Sequence, residues 1–499
     1  MEVRTLNSWV IDWLNKRFGC SISRSYYDTI EEWEHWWKGF HEPFHKIKVY
    51  DGTRHRSREM YTMKMAKKIC EDWASLLIND KTKIKVEDEH TSEWLQGENE
   101  LGGVLGSNNF WEQANDLMER MMYSGTAAIV IGLRNARFTD DGQLLSDPDN
   151  RIDLDYISAE SIVPLSCDNG IITEAAFCSD ISVMGKSKLY LQIHRSDNGE
   201  YVIENHLFGV ESANGSLLAE EELPDNIPEI IHTGSAEPWF AICKPALVNT
   251  ERKANGMGCA IFSNAIDNLK GVDIAYNNFN SDFWLGQKKV FINKSLIADL
   301  TDSDGNTESI VPDDVNQQLF YTIGMTMGDE NERPLVQEHN PDLRVSDNTA
   351  GVQAQLDYLS FKVGFGTKHY QFNSGSIVTA TQYTGDKQDL IQNAHKHFIK
   401  VEGFMQRLMR TLLYIGHNYI DSSINPDTKI EIMFDQSPLI DENAERARDL
   451  EAVNANVMLP WEWRVKYLGE TREQAEEILS SVQEDDDIMG FGGSGEGDE

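Results

Sequence analysis

The feature that most constrains the fold of this chain is a long apolar pattern in residues 386–420. Apolar residues recur there at alternating spacings of three and four, as they do along one face of a heptad helix. They are Ile391, Ala394, Phe398, Val401, Met405, Leu408, Leu412, Ile415 and Tyr419. A helix of this size is about 50 Å long, so it either forms the core of a large domain or packs against copies of itself. The spacing does not separate these two interpretations.

An uncharged segment, "NSGSIVTATQYTG" at residues 373–385, comes directly before this pattern. Turn-forming residues lie at both of its ends, at 373–375 and at Gly385, and its middle is rich in β-branched residues. This combination predicts a loop with glycine hinges at the head of the long helix.

The rest of the chain predicts alternating helical and β-rich regions. Residues 1–98 are mainly helical in pattern, with an apolar stripe through 56–80 and a tryptophan cluster at 31–40 that favours packing over a ligand cage. Residues 100–250 contain a helix at 108–123 and then short β-rich runs separated by turn sequences such as "DNG", which indicate an antiparallel sheet.

The second half adds two helices around an insert. Helical spacing returns at 257–286 and at 346–364, and the residues between them begin with a strand pattern at 287–297. A strand at 429–441 and short helices at 442–482, interrupted at Pro460 and Gly469, follow the long helix.

Charge sets limits on binding partners. The net charge is −37 over 499 residues, which argues against tight binding to nucleic acid or to an anionic membrane. Residues 1–68 nevertheless carry +4, whereas 441–499 carry −12. The acidic, Gly-rich end at 484–499 predicts disorder.

The sequence also predicts a cytoplasmic setting. It has six cysteines without a C-x-x-C pair, no signal-peptide pattern and no apolar run near the ~20 residues that a membrane span needs.

The sequence contains no recognisable active-site motif. The chain has no G-x-x-x-x-G-K-[ST], G-x-S-x-G or H-E-x-x-H motif, and "GFGGSG" at 490–495 lacks the strand and helix that a dinucleotide site needs. We therefore predict no catalytic residues, no metal and no cofactor. An alternative stays open because acidic residues are so plentiful: a cytoplasmic carboxylate- and metal-dependent hydrolase or nucleotidyl-transfer enzyme.

The order of parts, together with three local stretches, resembles the portal proteins of tailed bacteriophages, most closely those of phages of Gram-positive hosts. The stretches are "KMAKKICEDWASLLIND" (64–80), "GFGTKHYQFNSGSIVTATQ" (364–382) and "WRVKYLGETREQAEEIL" (463–479). The resemblance implies an α+β subunit with a β-rich wing, a helical stem, a small α/β clip, a long spine helix and a helical crown, assembled as a ring.

The resemblance also implies how the chain divides. The expected parts are N-terminal helices and wing (1–256), stem helix (257–286), clip (287–340), returning stem helix (341–366), tunnel loop (367–385), long helix (386–420), wing strand (421–441), crown (442–482) and acidic tail (483–499).

A portal would be a non-enzymatic ring of twelve copies at one capsid vertex, assembled in the host cytoplasm. Double-stranded DNA would pass through it during packaging and ejection without sequence-specific contacts. Its other expected partners are the terminase large subunit, major capsid and scaffolding proteins, and a head-completion or adaptor protein. A different oligomeric head–tail protein is a further alternative.

The resemblance assigns roles to two groups of residues. The expected DNA-channel residues of the tunnel loop are Asn373, Ser374, Gly375, Ser376, Thr379, Thr381, Gln382 and Tyr383. The expected core or oligomer contacts of the long helix are Ile391, Phe398, Val401, Met405, Leu408 and Leu412. Five bases on that helix either form a solvated face or meet acidic surfaces of a neighbouring subunit: Lys387, Lys396, Lys400, Arg407 and Arg410.

Overall fold

The structure is a computed structural model of the whole chain. The residues that it describes are 3–50, 55–98, 102–183, 186–210, 217–224, 227–251, 254–293, 299–301, 307–309, 320–323, 336–372, 380–435, 442–455, 457–468 and 470–479. The acidic tail at 483–499 lies outside these ranges, as does Gly469.

Helices run through both halves of the described chain. They are α1 (Val3–Phe18), α2 (Ser25–Trp37), α3 (Glu42–His45), α4 (Met65–Leu77), α5 (Glu89–Gln96), α6 (Gly103–Ser107), α7 (Phe110–Ser124), α8 (Ile266–Leu285), α9 (Val345–Lys362), α10 (Ala380–Tyr419), α11 (Glu442–Asn454), α12 (Pro460–Leu468) and α13 (472–479).

Strands concentrate in the middle of the chain. They are β1 (Lys46–Tyr50), β2 (His55–Glu59), β3 (Lys83–Val86), β4 (Ala127–Arg134), β5 (Arg151–Ser158), β6 (Ile162–Asp168), β7 (Ile171–Val183), β8 (Lys186–Asp197), β9 (Glu200–Val210), β10 (Leu217–Glu221), β11 (Ile230–His232), β12 (Phe240–Cys243), β13 (Lys289–Asn293), β14 (Asp299–Thr301), β15 (Thr307–Ser309), β16 (Phe320–Ile323), β17 (Val336–His339) and β18 (Ile430–Met433).

The β-rich region forms an antiparallel sheet in the order β10-β9-β8-β7-β6, with β11 paired to β9, beside a second sheet in the order β12-β4-β5. Two-residue turns join β6 to β7 and β8 to β9, and all four turn residues, Asn169-Gly170 and Asn198-Gly199, have positive φ. Asn-Gly is the pair that such hairpin turns require, so the antiparallel sheet predicted from these sequences is confirmed.

The N-terminal region is helical but less so than the sequence predicts. Residues 55–59, all but the first of which belong to the predicted helical stripe 56–80, form β2 and pair with β1. The helix begins only at Met65, because Lys64 has a left-handed backbone with φ 53°. The predicted packing of the tryptophan cluster is confirmed: Trp33 and Trp36 are buried.

The helix pair α8 and α9 runs antiparallel and carries the strands of the insert between them. Strand β13 is the middle of a small mixed sheet, with β16 parallel and β17 antiparallel to it. The predicted helix start at residue 257 is wrong, since α8 begins at Ile266. Residues 257–262 are irregular and buried; a Cβ on Gly258 would lie 2.1 Å from the Gly125 carbonyl oxygen. Their apolar character reflects core packing, not a helical face.

Helix α10 is the core helix of the subunit. Phe398, Val401, Met405, Leu408 and Leu412 are all buried within the single chain, while Ile391 is partly buried. The helix packs against α4, β12 and β18. Its buried face is also wider than a heptad seam, since it includes further side chains: Phe404, Met409 and Leu413. The apolar residues that recur at spacings of three and four are thus buried within one chain.

The strand predicted at 429–441 is shorter, at Ile430–Met433, and pairs antiparallel with β3, some 340 residues earlier in the chain. The three C-terminal helices follow, with Pro460 at the first position of α12, where a proline costs no hydrogen bond.

Replacing Leu408 by alanine is expected to lower the free energy of unfolding by about 2–5 kcal/mol, because the fully buried side chain leaves a cavity in the core. Chemical denaturation measures this difference. Ile171→Ala is the matched control: Ile171 is 61% exposed, so its loss should change the free energy of unfolding by about 0.5 kcal/mol or less. Equal losses in both variants would contradict the buried position of α10.

Candidate functional site

The candidate site is the junction between α9 and α10, residues 363–385, which contains the predicted tunnel loop. The predicted channel residues Asn373, Ser374, Gly375, Ser376 and Thr379 lie outside the described residues. Helix α10 begins at Ala380, six residues before its predicted start, so the backbone of Thr381, Gln382 and Tyr383 is helical.

The early start of α10 has a simple energetic reason. Thr and Tyr are only mildly unfavourable in a helix, and Gly385 costs about 1 kcal/mol relative to alanine. A helix with a long packed stretch after these residues tolerates that cost. Helix α10 therefore begins earlier than the sequence predicts.

An aromatic stack anchors the N-terminal side of the junction. Phe365 stacks on Trp73 of α4, with ring centroids 4.7 Å apart, and His369 stacks on Phe365 at 4.3 Å with nearly parallel planes. The Tyr370 hydroxyl donates a 2.9 Å hydrogen bond to Asp72. Burial, together with the charge of Asp72, raises the pKa of the Tyr370 phenol, which therefore remains protonated and donates.

One glutamine fixes the last described residues before position 373. The Gln353 side chain donates to the Tyr370 carbonyl oxygen at 2.9 Å, and its own oxygen accepts from the Phe372 N–H at 2.8 Å. Gln353 belongs to α9, so the chain after this helix turns back along it. Positive φ at Gly364 and Gly366 makes this reversal possible.

The C-terminal side of the junction is anchored to the same tryptophan. His397 of α10 is buried with its ring centroid 4.7 Å from that of Trp73, and its Nδ1 accepts the Ala246 N–H at 3.1 Å. Asn393 donates to the Gly364 carbonyl oxygen at 3.1 Å. The chain on both sides of 373–379 is thus held by one cluster around Trp73.

Two carboxylates of α8 bond the helix pair α8 and α9 to each other and to the N-terminal region. Asp282 accepts from the Arg344 guanidinium at 2.8 Å, near the start of α9. Asp273, which is buried, accepts from the Met63 N–H at 2.8 Å and the Thr62 hydroxyl at 3.1 Å, and lies 3.0 Å from His45 Nε2. The His45 Nδ1 accepts the His41 N–H, which leaves the proton on Nε2 to face Asp273.

Sequence reasoning missed this last cluster. His41 and His45 showed no ligand spacing of their own, and the carboxylate that completes the set is 228 residues away. No local signal in the sequence connects them. The arrangement is a structural tie between α8 and the N-terminal helices, because the groups around Asp273 are donors that neutralise a buried carboxylate.

Large apolar side chains remain exposed on the same helix pair. They are Ile274, Phe283, Trp284, Leu285, Val345, Tyr358 and Phe361. Exposed apolar side chains that form a contiguous patch are typical of surfaces that contact another molecule.

The described residues hold no group of three or more His, Cys, Asp or Glu placed to bind a metal ion. Within the same part of the chain, no helix combines the length and the apolar character that crossing a bilayer demands.

The His397 anchor is expected to make stability depend on pH. Burial, with a smaller effect of Lys396, lowers the pKa of His397 to about 4, below the value of 6.5 in an unfolded chain. The contribution of neutral His397 to the free energy of unfolding is therefore complete above pH 6.5 and is lost as the pH falls toward 4. From pH 7.5 to pH 5 the loss should be about 2 kcal/mol of unfolding free energy.

The measurement is the difference in unfolding free energy between these two pH values, compared across variants. His397→Asn, which keeps an acceptor near the Ala246 N–H, should lower the difference by about 2 kcal/mol. His395→Asn, two residues away and exposed, should keep the wild-type difference. If His397→Asn also keeps it, the neutral buried histidine is not part of the anchor.

Comparison with known proteins gives one informative match. Among solved structures, the chain is similar to a chain described as "Neck of native GTA particle computed with C12 symmetry". The two chains are 10% identical, and the match covers 80% of this chain and 87% of that chain. The TM-score is 0.35, which is too low to define the fold. No curated protein matches the chain. The family described as "Phage portal protein, SPP1 Gp6-like" matches residues 21–487, which is nearly the whole chain. The chain therefore belongs to the SPP1 Gp6-like family of phage portal proteins.

Proposed function

We propose that this protein is the portal of a tailed phage: a ring of twelve copies at one capsid vertex, with a central channel for double-stranded DNA. The observation that carries this proposal is the family match over residues 21–487, which includes the helix pair, its insert, the junction and α10. The remaining features each suit a part of that role.

The helix pair suits a stem. Helix α8 has 20 residues and is therefore about 30 Å long, and the part between its attachment at Asp273 and the insert is about 18 Å long. The insert, residues 287–340 in the sequence-based division, is the proposed clip, where the terminase large subunit docks during packaging and a head-completion or adaptor protein docks later. The exposed apolar side chains of α8 and α9 would be covered by neighbouring subunits in the ring.

The uncharged segment 373–385 suits a surface past which DNA must move. Duplex DNA carries one negative charge per ~1.7 Å of its axis, so a channel lined with lysine or arginine would bind and slow it, and a channel lined with carboxylates would repel it. Serine, threonine and glutamine side chains can contact phosphates without a net charge, and such contacts do not depend on base sequence. The tight anchors around Trp73 would hold this segment in place while DNA passes.

The proposed role is structural, because no phosphate-binding loop exists in the sequence and the energy for packaging would come from a separate terminase. The β-rich region would form the wing, in contact with major capsid and scaffolding proteins, and residues 442–482 the crown. The mature location would be the virion, after assembly in the host cytoplasm.

The oligomer is the first test. The native mass of the purified protein, with class averages from electron microscopy, should show rings with a central hole. A monomer under all conditions of assembly would overturn the proposal.

Charge added to the channel segment is the second test. Ser376→Lys with Thr379→Lys is expected to leave ring formation unchanged and to slow DNA packaging several-fold, because added cations hold the phosphates. Packaging rate is measured in a system with terminase and empty heads.

The matched control is Ser376→Ala with Thr379→Ala, which keeps the segment neutral and should package at close to the wild-type rate. A lysine variant that packages as fast as this control would show that 373–385 does not meet DNA.

A further inference from the structure

Helix α10 presents an exposed cationic face, although the chain as a whole carries −37. Lys400 and Arg407 lie on it, two helical turns apart, and Lys244 lies beside them just after β12. The Arg407 guanidinium is 3.4 Å from the Ile242 carbonyl oxygen. The Lys244 ammonium donates to the carbonyl oxygens of Gly170 and Gly256, both at 2.6 Å, and its pKa is lowered by burial and by the charges of Lys400 and Arg407.

None of the ion pairs formed among the described residues includes these three cations. Other surface cations of the described residues do have carboxylate partners, such as Lys68 with Asp72 and Arg344 with Asp282. Three adjacent cations without such a partner form a positive surface that an acidic surface would complement.

Exposed apolar side chains lie between and beside these cations. Ile399, next to Lys400, is 69% exposed, and Val248 is 89% exposed. The Ala246 N–H bond to His397 brings residues 246–248 alongside this part of α10. We call Lys244, Lys400 and Arg407, with Leu247, Val248 and Ile399, the cationic face. Apolar side chains mixed with cations are typical of a protein–protein contact, whereas a phosphate backbone offers such side chains nothing to pack against.

The complementary surface is present elsewhere on the same chain. Glu112 and Asp116 are exposed one turn apart on α7. Asn115, between them, donates to the Ile78 carbonyl oxygen at 2.7 Å, which places Asp80 near the same surface. None of the ion pairs of the described residues includes these three acids, which we call the acidic face.

The two faces belong to different flanks of one helix, α4. Trp73 of α4 contacts α10 through His397, whereas Lys67 of α4 forms a 2.8 Å ion pair with Glu119 of α7. Because the cationic face and the acidic face lie on different flanks of α4, they cannot form ion pairs with each other within one subunit. They suit a head-to-tail contact, in which each copy offers one face to the copy before it and the other face to the copy after it.

We propose that a second copy of this chain docks its acidic face, Asp80, Glu112 and Asp116, onto the cationic face of α10. The proposal rests on the proposed function, since it supplies the subunit contact of the ring. Exposed ion pairs are individually weak and are screened by salt. The ion pairs therefore act together with the apolar contacts of Val248 and Ile399, and they determine which two surfaces meet.

Two charge-reversed chains test the pairing. In the first, Lys400→Glu with Arg407→Glu makes both faces acidic. In the second, Glu112→Lys with Asp116→Lys makes both faces basic. Neither chain should assemble alone at low salt, because each contact would join like charges, and native mass should show a large loss of rings.

Mixing the two chains in equal amounts should restore rings. Every contact is then between opposite charges if the chains alternate, so the number of subunits in the mixed ring must be even. Thermal unfolding of each chain alone shows that it is folded, and Lys85→Glu with Lys186→Glu, the same change in charge at exposed sites on other strands, should assemble as the wild type does.

The outcomes separate the two proposals. If the wild type forms rings and the reversed chains also form them alone, the pairing is wrong while the portal function stands. If the reversed chains form rings but the first releases DNA that the wild type retains, α10 meets nucleic acid instead of a second copy. If the wild type forms no ring, the proposed function fails and the pairing fails with it.

Discussion

The burial of α10 is the constraint on which the rest of the structure depends. This helix has 40 residues and offers apolar side chains around most of its circumference between 401 and 415. Covering them takes elements from distant parts of the chain: α4 from the N-terminal region, β12 from the β-rich region and β18 from beyond the helix itself. The β-rich region, the N-terminal helices and β18 are thus joined because each supplies part of one hydrophobic enclosure.

The described residues on both sides of 373–379 pack against the same enclosure. Trp73 is fully buried and contacts both Phe365 and His397, so the residues just after α9 and the middle of α10 share a single support. In the proposed portal, the neutral segment 373–379 would join these two anchored parts of the chain. If the segment does contact DNA, it does so from a base that belongs to the most tightly packed part of the subunit.

Sequence patterns predicted those elements whose physical cause is local. The alternation of three and four predicted α10, and the Asn-Gly turns predicted the hairpins of the wing, because helix periodicity and positive φ are properties of neighbouring residues. The boundaries failed where packing overrides local preference. Residues 381–385 look like a loop yet continue a helix, residues 257–262 look helical yet fill the core, and residues 55–59 pair with a strand.

Contacts between distant residues could not be predicted, since nothing in the sequence near His45 points to Asp273 or near β18 points to β3. The roles of the candidate channel residues were likewise expected from the family resemblance and not from their chemistry, because serine and threonine in a neutral segment are compatible with many surfaces.

The tie at Asp273 has a mechanical consequence. Helix α8 is bonded to Thr62 and Met63 through Asp273, and its C-terminal end leads into the insert. In the proposed portal, a motor that pulled on the insert would load this carboxylate and its donors. The load would then pass to the N-terminal region, because Thr62 and Met63 lie just before α4.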